Sequence, residues 1–129
     1  MIGSIYGPRE HRPCALHIKS HYLLASYYGS KARLCLYDLR YKPKILYQRD
    51  LLNDHYQELK FTVSADGKYV ACPNQFGTIR VFEYDNLAQI VDLLSDPVSK
   101  HSPYFMPYCQ FSDAGYLYYN TKDTLIRAG

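Results

Sequence analysis

Residues 22–40 read Tyr-Leu-Leu-Ala-Ser-Tyr-Tyr-Gly-Ser-Lys-Ala-Arg-Leu-Cys-Leu-Tyr-Asp-Leu-Arg, and residues 68–84 read Lys-Tyr-Val-Ala-Cys-Pro-Asn-Gln-Phe-Gly-Thr-Ile-Arg-Val-Phe-Glu-Tyr. Both follow one plan: a short apolar run, a glycine-containing turn, then alternation of apolar and polar side chains, the pattern of two antiparallel strands joined by a hairpin. A third, weaker copy occupies residues 116–128, Tyr-Leu-Tyr-Tyr-Asn-Thr-Lys-Asp-Thr-Leu-Ile-Arg-Ala. Superposing the three brings Leu34, Ile79 and Leu125 into register, 45 and 46 residues apart. The histidines repeat the phase independently: His11 precedes Tyr37 by 26 residues, His55 precedes Phe82 by 27 and His101 precedes Ala128 by 27. Turn signals at Asp66-Gly67 and Ala114-Gly115 fall in the same phase.

Each repeat therefore holds about four short strands in roughly 45 residues, the period of a propeller blade. The pattern predicts strands at 14–18, 22–28, 32–38 and 44–49, then at 57–63, 68–73, 78–84 and 88–94, and finally at 107–112, 116–120 and 123–127. Segment 86–94 also has helical spacing through Leu87, Ile90, Val91 and Leu94, with Asn86 and Gln89 as capping residues. The repeat requires a strand there. The expected architecture is all-β: one partial propeller over residues 1–129, with blades at 1–50 and 51–97 and an incomplete third at 98–129. Closed propellers need at least four blades, so this segment is expected to require earlier blades, a partner chain or self-assembly to cover its open faces.

Composition limits the function. Of 129 residues, 47% are hydrophobic and 21% charged, a globular balance. No apolar run approaches the roughly 18 residues of a membrane span, and the N-terminus carries no secretory pattern, so an intracellular, cytoplasmic or nuclear chain is expected. Fifteen tyrosines and no tryptophan leave most aromatic bulk with a hydroxyl to satisfy, a composition that suits strands and interaction surfaces. The net charge of +3 is uneven, with ten cations against five carboxylates in residues 1–65 and five against seven beyond. That permits an acidic partner without demanding nucleic acid.

Chemistry has few footholds. Cys14, Cys35, Cys72 and Cys109 lie 21, 37 and 37 residues apart, too far for a paired-cysteine redox or metal motif. Cys14, His17 and His21 have a zinc-like spacing but lack a fourth ligand, and a strand there is expected to scatter them. No metal or cofactor is expected. Asp54, His55 and Glu58 form a candidate proton relay with no nucleophile beside it, and no nucleophile elbow or phosphate loop occurs, so the chain is expected not to be an enzyme.

Leu23-Leu24-Ala25-Ser26 followed by Leu34-Cys35-Leu36-Tyr37-Asp38-Leu39-Arg40, and Ser64-Ala65-Asp66-Gly67-Lys68-Tyr69-Val70-Ala71 followed by Thr78-Ile79-Arg80-Val81-Phe82-Glu83-Tyr84, resemble the repeats of WD-repeat propeller proteins. The family marks each blade with a Gly-His pair, a turn aspartate and a Trp-Asp pair. Here Asp54-His55, Tyr37-Asp38 and Phe82-Glu83 stand in those places, and Asp123 matches the turn acid. The resemblance gives His11, His55, His101, Phe82 and Glu83 structural roles within their blades. It further implies a docking box: Tyr37-Asp38-Leu39-Arg40 is similar to the Trp-Asp-x-Arg box by which WD-repeat substrate receptors meet the adaptor of cullin-RING ubiquitin ligases. Tyr37, Asp38 and Arg40 are its partner-binding candidates, with Arg40 offering a planar fork that lysine does not match.

A second surface is basic. Arg33, Arg40, Lys42, Lys44 and Arg49 alternate with Tyr37, Tyr41 and Tyr47, which supplies phosphate contacts and stacking platforms for RNA. Strand alternation divides these residues between two faces, so a solvated blade edge is the simpler expectation. The overall expectation is a protein-binding scaffold, with an RNA- or ribonucleoprotein-associated module as the alternative.

Overall fold

A computed structural model describes residues 12–28, 33–40, 42–51, 60–73, 78–94, 108–120 and 125–128. Among them there are eleven strands and no helix. The first sheet is a meander of β1 (Arg12–Lys19), β2 (Tyr22–Tyr28), β3 (Arg33–Asp38) and β4 (Lys44–Asp50). The second repeats it with β5 (Thr62–Val63), β6 (Tyr69–Pro73), β7 (Thr78–Glu83) and β8 (Gln89–Leu94). The third has β9 (Cys109–Phe111), β10 (Leu117–Asn120) and β11 (Leu125–Ala128). All pairings are antiparallel between sequence neighbours.

The sheets stack face to face. Strand alternation sends Leu24, Leu34 and Leu36 to one side of the first sheet, where they meet Val70, Cys72, Phe82 and Tyr84 of the second. The opposite side of the second sheet carries Ala71, Ile79 and Val81, packed against Leu117 and Tyr119 of the third. Leu34 and Ile79, aligned by the repeat, are both fully buried in these two joints. A third cluster, Ala25, Tyr27, Cys35 and Tyr37, lies on the far side of the first sheet.

Hairpin chemistry recurs in phase. Gly67 N–H donates to the Ser64 carbonyl at 2.9 Å, and Gly115 N–H donates to the Ser112 carbonyl at 3.0 Å. The serine side chains accept from backbone beyond the turn, Ser64 Oγ from Tyr69 N–H at 3.0 Å and Ser112 Oγ from Tyr116 N–H at 3.2 Å. Both glycines sit at positive φ, 73° and 90°, which is why glycine closes each turn.

Several boundaries differ from the pattern's prediction. β5 pairs only at Thr62 and Val63, with residues 60 and 61 outside any strand and 52–59 outside the described residues. Tyr84 belongs to a turn, because Glu83 N–H bonds the Ala88 carbonyl and Leu87 N–H bonds the Glu83 carbonyl, both at 2.9 Å. The helical alternative for 86–94 is replaced by strand β8. Asn86 Oδ1 accepts from Ala88 N–H at 2.9 Å, closing a two-residue loop rather than capping a helix.

Candidate protein-docking site

The rim of the first sheet carries the residues singled out for docking. β3 ends at Asp38, and Leu39 N–H donates to the His21 carbonyl at 2.8 Å, tying this corner to the β1–β2 turn. Asp38 Oδ1 accepts from Arg40 N–H at 2.9 Å and from Arg40 Nε at 3.2 Å, while Oδ2 accepts from Nη2 at 2.8 Å. The carboxylate thus grips both backbone and guanidinium of the same residue. The Arg40 side-chain hydrogen bonds hold the Asp38 carboxyl down at about 2, and they raise the arginine in turn. With the Asp38 side chain 13% exposed and that of Arg40 55% exposed, the pair is a buttressed cation facing outward.

Tyr37 is corrected from partner contact to interior support. It is 1% exposed, and its hydroxyl lies 2.7 Å from that of Tyr27. Burial pushes both phenols up. Strand alternation from buried Cys35 places Tyr37 on the far side of the sheet, so of the three candidates only Asp38 and Arg40 reach the rim.

The basic stretch does not form one surface. Arg49 Nε donates to the Leu87 carbonyl at 3.0 Å and Nη1 to the Gln48 carbonyl at 2.9 Å, which makes Arg49 a strut between the first and second sheets. Arg33 Nε lies 3.7 Å from Asp50. Lys42 and Lys44 remain exposed with Tyr47, and Tyr41 lies outside the described residues. Of the structural candidates, Phe82 is 1% exposed in the first joint, and Glu83 is exposed and shapes the following turn through its backbone. His11, His55 and His101, together with Asp54 and Glu58, lie outside the described residues.

The zinc-like spacing is put to other uses. A register shift between Pro13 and Ala15 accompanies Cys14, whose Sγ lies 3.1 Å from Ser26 Oγ. His17 Nδ1 lies 3.1 Å from the Tyr84 hydroxyl, and the His21 ring lies tilted against that of Tyr22, centroids 4.1 Å apart. The cysteines are not disulfide-bonded. Burial raises the thiols, Cys35 to about 11 and Cys109 to about 12, and it raises Cys72 as well, which keeps them protonated and weakly nucleophilic.

One cluster escaped the sequence pattern altogether. Lys19 Nζ donates at 2.8 Å to both Asp85 Oδ1 and the Gly67 carbonyl, and it sits 4.1 Å over the Tyr84 ring. These contacts cross from the first sheet to the second beside an open cavity of about 240 Å³ lined by Lys68, Tyr69, Glu83 and Asp85. No spacing announces a contact between residues 66 apart. The sole local hint was a lysine placed just before a turn.

No protein-family model matches the chain, and no curated protein does. Solved structures do, among them β-propeller proteins. The β-propeller domain of Cps50 (Swd1) from Myceliophteria thermophila is 19% identical, with a TM-score of 0.65 over 92% of this chain and 38% of that one. Hsv2 from Kluyveromyces lactis is 16% identical, with a TM-score of 0.51 over 87% of this chain and 35% of that one. A Bacteroides caccae protein of unknown function is 12% identical, with a TM-score of 0.56 over 97% and 44%. The chain has the fold of a partial β-propeller. It spans less than half the length of each of these structures, and its three sheets are propeller blades.

Proposed function

We propose that this chain is a non-catalytic, WD-repeat-like scaffold that binds other proteins, and that the first blade's rim docks the adaptor of a cullin-RING ubiquitin ligase through Asp38 and Arg40. The observation that carries the reading is the Asp38–Arg40 fork: an exposed guanidinium fixed in orientation by a carboxylate two residues away. A preoriented arginine loses little freedom on binding and offers its remaining N–H groups in a plane, the geometry that suits a partner carboxylate or carbonyl. Sequence similarity of residues 37–40 to the Trp-Asp-x-Arg box supplies the identity of the partner. Rigid blades supply the rest of the mechanism, because they hold rim loops in place.

The test is affinity capture from cells with quantitative mass spectrometry, comparing the native chain with Arg40→Ala and Arg40→Lys. Adaptor recovered with the native chain and lost with both variants supports the docking reading, since lysine keeps the charge without the fork. Recovery of the adaptor by all three, or by none, refutes it. The RNA alternative finds no support in the placement of the basic residues, because Arg33 and Arg49 are engaged within the protein.

A further inference from the structure

One rim position is a tyrosine in every blade. Tyr22, Tyr69 and Tyr116 follow one another at intervals of 47 residues. Register makes them equivalent: Leu23 pairs with Tyr37, Val70 with Phe82 and Leu117 with Ala128, and each tyrosine precedes that rung of its blade. In the first blade Tyr22 lies opposite Asp38, whose carboxylate holds the Arg40 guanidinium, with Tyr22 close enough to act on that cation. In the third, the Arg127 guanidinium lies 4.5 Å over the Tyr116 ring. Two of the three tyrosines thus come with an arginine of the same chain.

The second blade keeps the tyrosine and the carboxylate and lacks the arginine. Tyr69 lies opposite Glu83 as Tyr22 lies opposite Asp38, which makes Glu83 the counterpart of Asp38. The counterpart of Arg40 is Asp85, which inverts the charge there. Among the described residues no cation lies over the Tyr69 ring and no ion pair holds Glu83. The place is instead an open cavity of about 240 Å³, lined by Lys68, Tyr69, Glu83 and Asp85. Tyr69 is 41% exposed. Lys19 takes Asp85 Oδ1 at 2.8 Å and leaves that side chain 79% exposed, so the contact between blades anchors the carboxylate without covering it.

We infer that this cavity receives the guanidinium of an arginine borne by a protein partner, its plane on the Tyr69 ring and its N–H groups on the Glu83 and Asp85 carboxylates. The chain sets an arginine of its own beside the equivalent tyrosine in the first and third blades, so the second blade presents the same half-site with the cation left to come from outside. A ring face attracts a cation, and a carboxylate beside the ring supplies the counter-charge. A planar, weakly hydrated guanidinium meets both at once, whereas a compact ammonium serves one at the expense of the other. Because the cavity opens at the rim, a side chain projecting from a partner's surface enters it directly. Of the four lining residues Lys68 alone opposes the charge of this ligand, so removing its ammonium strengthens binding. The inference does not rest on the docking reading at Arg40: here the chain supplies the carboxylates and the partner supplies the arginine.

Amide NMR titration of the 129-residue chain with the end-blocked tripeptide Gly-Arg-Gly tests it. Gly-citrulline-Gly, which keeps the shape without the charge, and Gly-Lys-Gly serve as comparisons. The arginine peptide is expected to give saturable shifts centred on residues 68, 69, 83 and 85, the lysine peptide weaker ones and the citrulline peptide none. Tyr69→Leu is expected to weaken the arginine peptide about two- to fivefold, the size of an exposed cation–π contact. Glu83→Gln should weaken it as well, while Lys68→Gln should tighten it, a gain that a misfolded variant does not produce. The absence of saturable shifts with the arginine peptide, shifts centred elsewhere, a citrulline or lysine peptide bound as tightly, or an affinity untouched by all three variants overturns the proposal.

Discussion

A tyrosine hydroxyl buried in a sheet must find a partner, and Tyr37 finds it in Tyr27 at 2.7 Å. Tyr37→Phe strips that partner from a buried group and is expected to cost about 1–3 kcal/mol, while the double change Tyr27→Phe with Tyr37→Phe costs less than the two single changes together. Denaturant midpoints around this double-mutant cycle measure it; strict additivity would mean the hydroxyls do not interact. The neighbouring Asp38 gives a pH prediction. Its carboxyl is held at about 2 by Arg40, below the ordinary carboxylate value near 4. The pair's contribution is therefore complete above that ordinary value and is lost as pH falls through about 2. A carbon-detected NMR titration should place the Asp38 midpoint there and show it rising in Arg40→Ala. An unmoved midpoint would assign the shift to something other than the fork.

At the scale of elements, the repeat was legible because strand alternation and turn chemistry are local. Leu34, Ile79 and Leu125 fell into phase from spacing alone, and the Asp66-Gly67 and Ala114-Gly115 turns formed where the pattern put them. What blurred residues 86–94 was the mixture of two roles in one apolar run: Leu87 is a loop residue fully buried in the first joint, while Ile90 and Val91 are 48% and 42% exposed on an outer strand. Their sum imitates a helical face. The candidate site was legible at Asp38 and Arg40, two residues apart, and illegible at Arg49, whose task is set by a carbonyl 38 residues away. The turns also differ in a way that can be measured. Gly67 and Gly115 both have positive φ, so alanine at either is expected to cost about 1–2 kcal/mol in backbone strain. A Cβ at Gly67 would in addition meet the Lys19 side chain at 3.0 Å, whereas at Gly115 it meets nothing within 4 Å. Gly67→Ala should therefore be the more destabilising, and Lys19→Ala should reduce the difference. Equal midpoints for the two glycine variants would show that Lys19 simply moves aside.

For the whole molecule, stability resides in the joints between blades, because each blade is a thin sheet with little interior of its own. Leu34 and Leu125 let this be separated from side-chain chemistry, since they are the same residue at the same repeat position, with 0% and 70% exposure. Leu34→Ala removes a buried side chain from the first joint and is expected to cost about 2–5 kcal/mol. Leu125→Ala on an isolated chain is expected to stay within about 0.5 kcal/mol, the range of surface substitutions. Denaturant midpoints of the two variants measure both figures. A Leu125→Ala deficit as large as that of Leu34→Ala would mean that exposure does not set what this repeat position contributes, and that the third blade's outer face matters to folding as much as the two joints do.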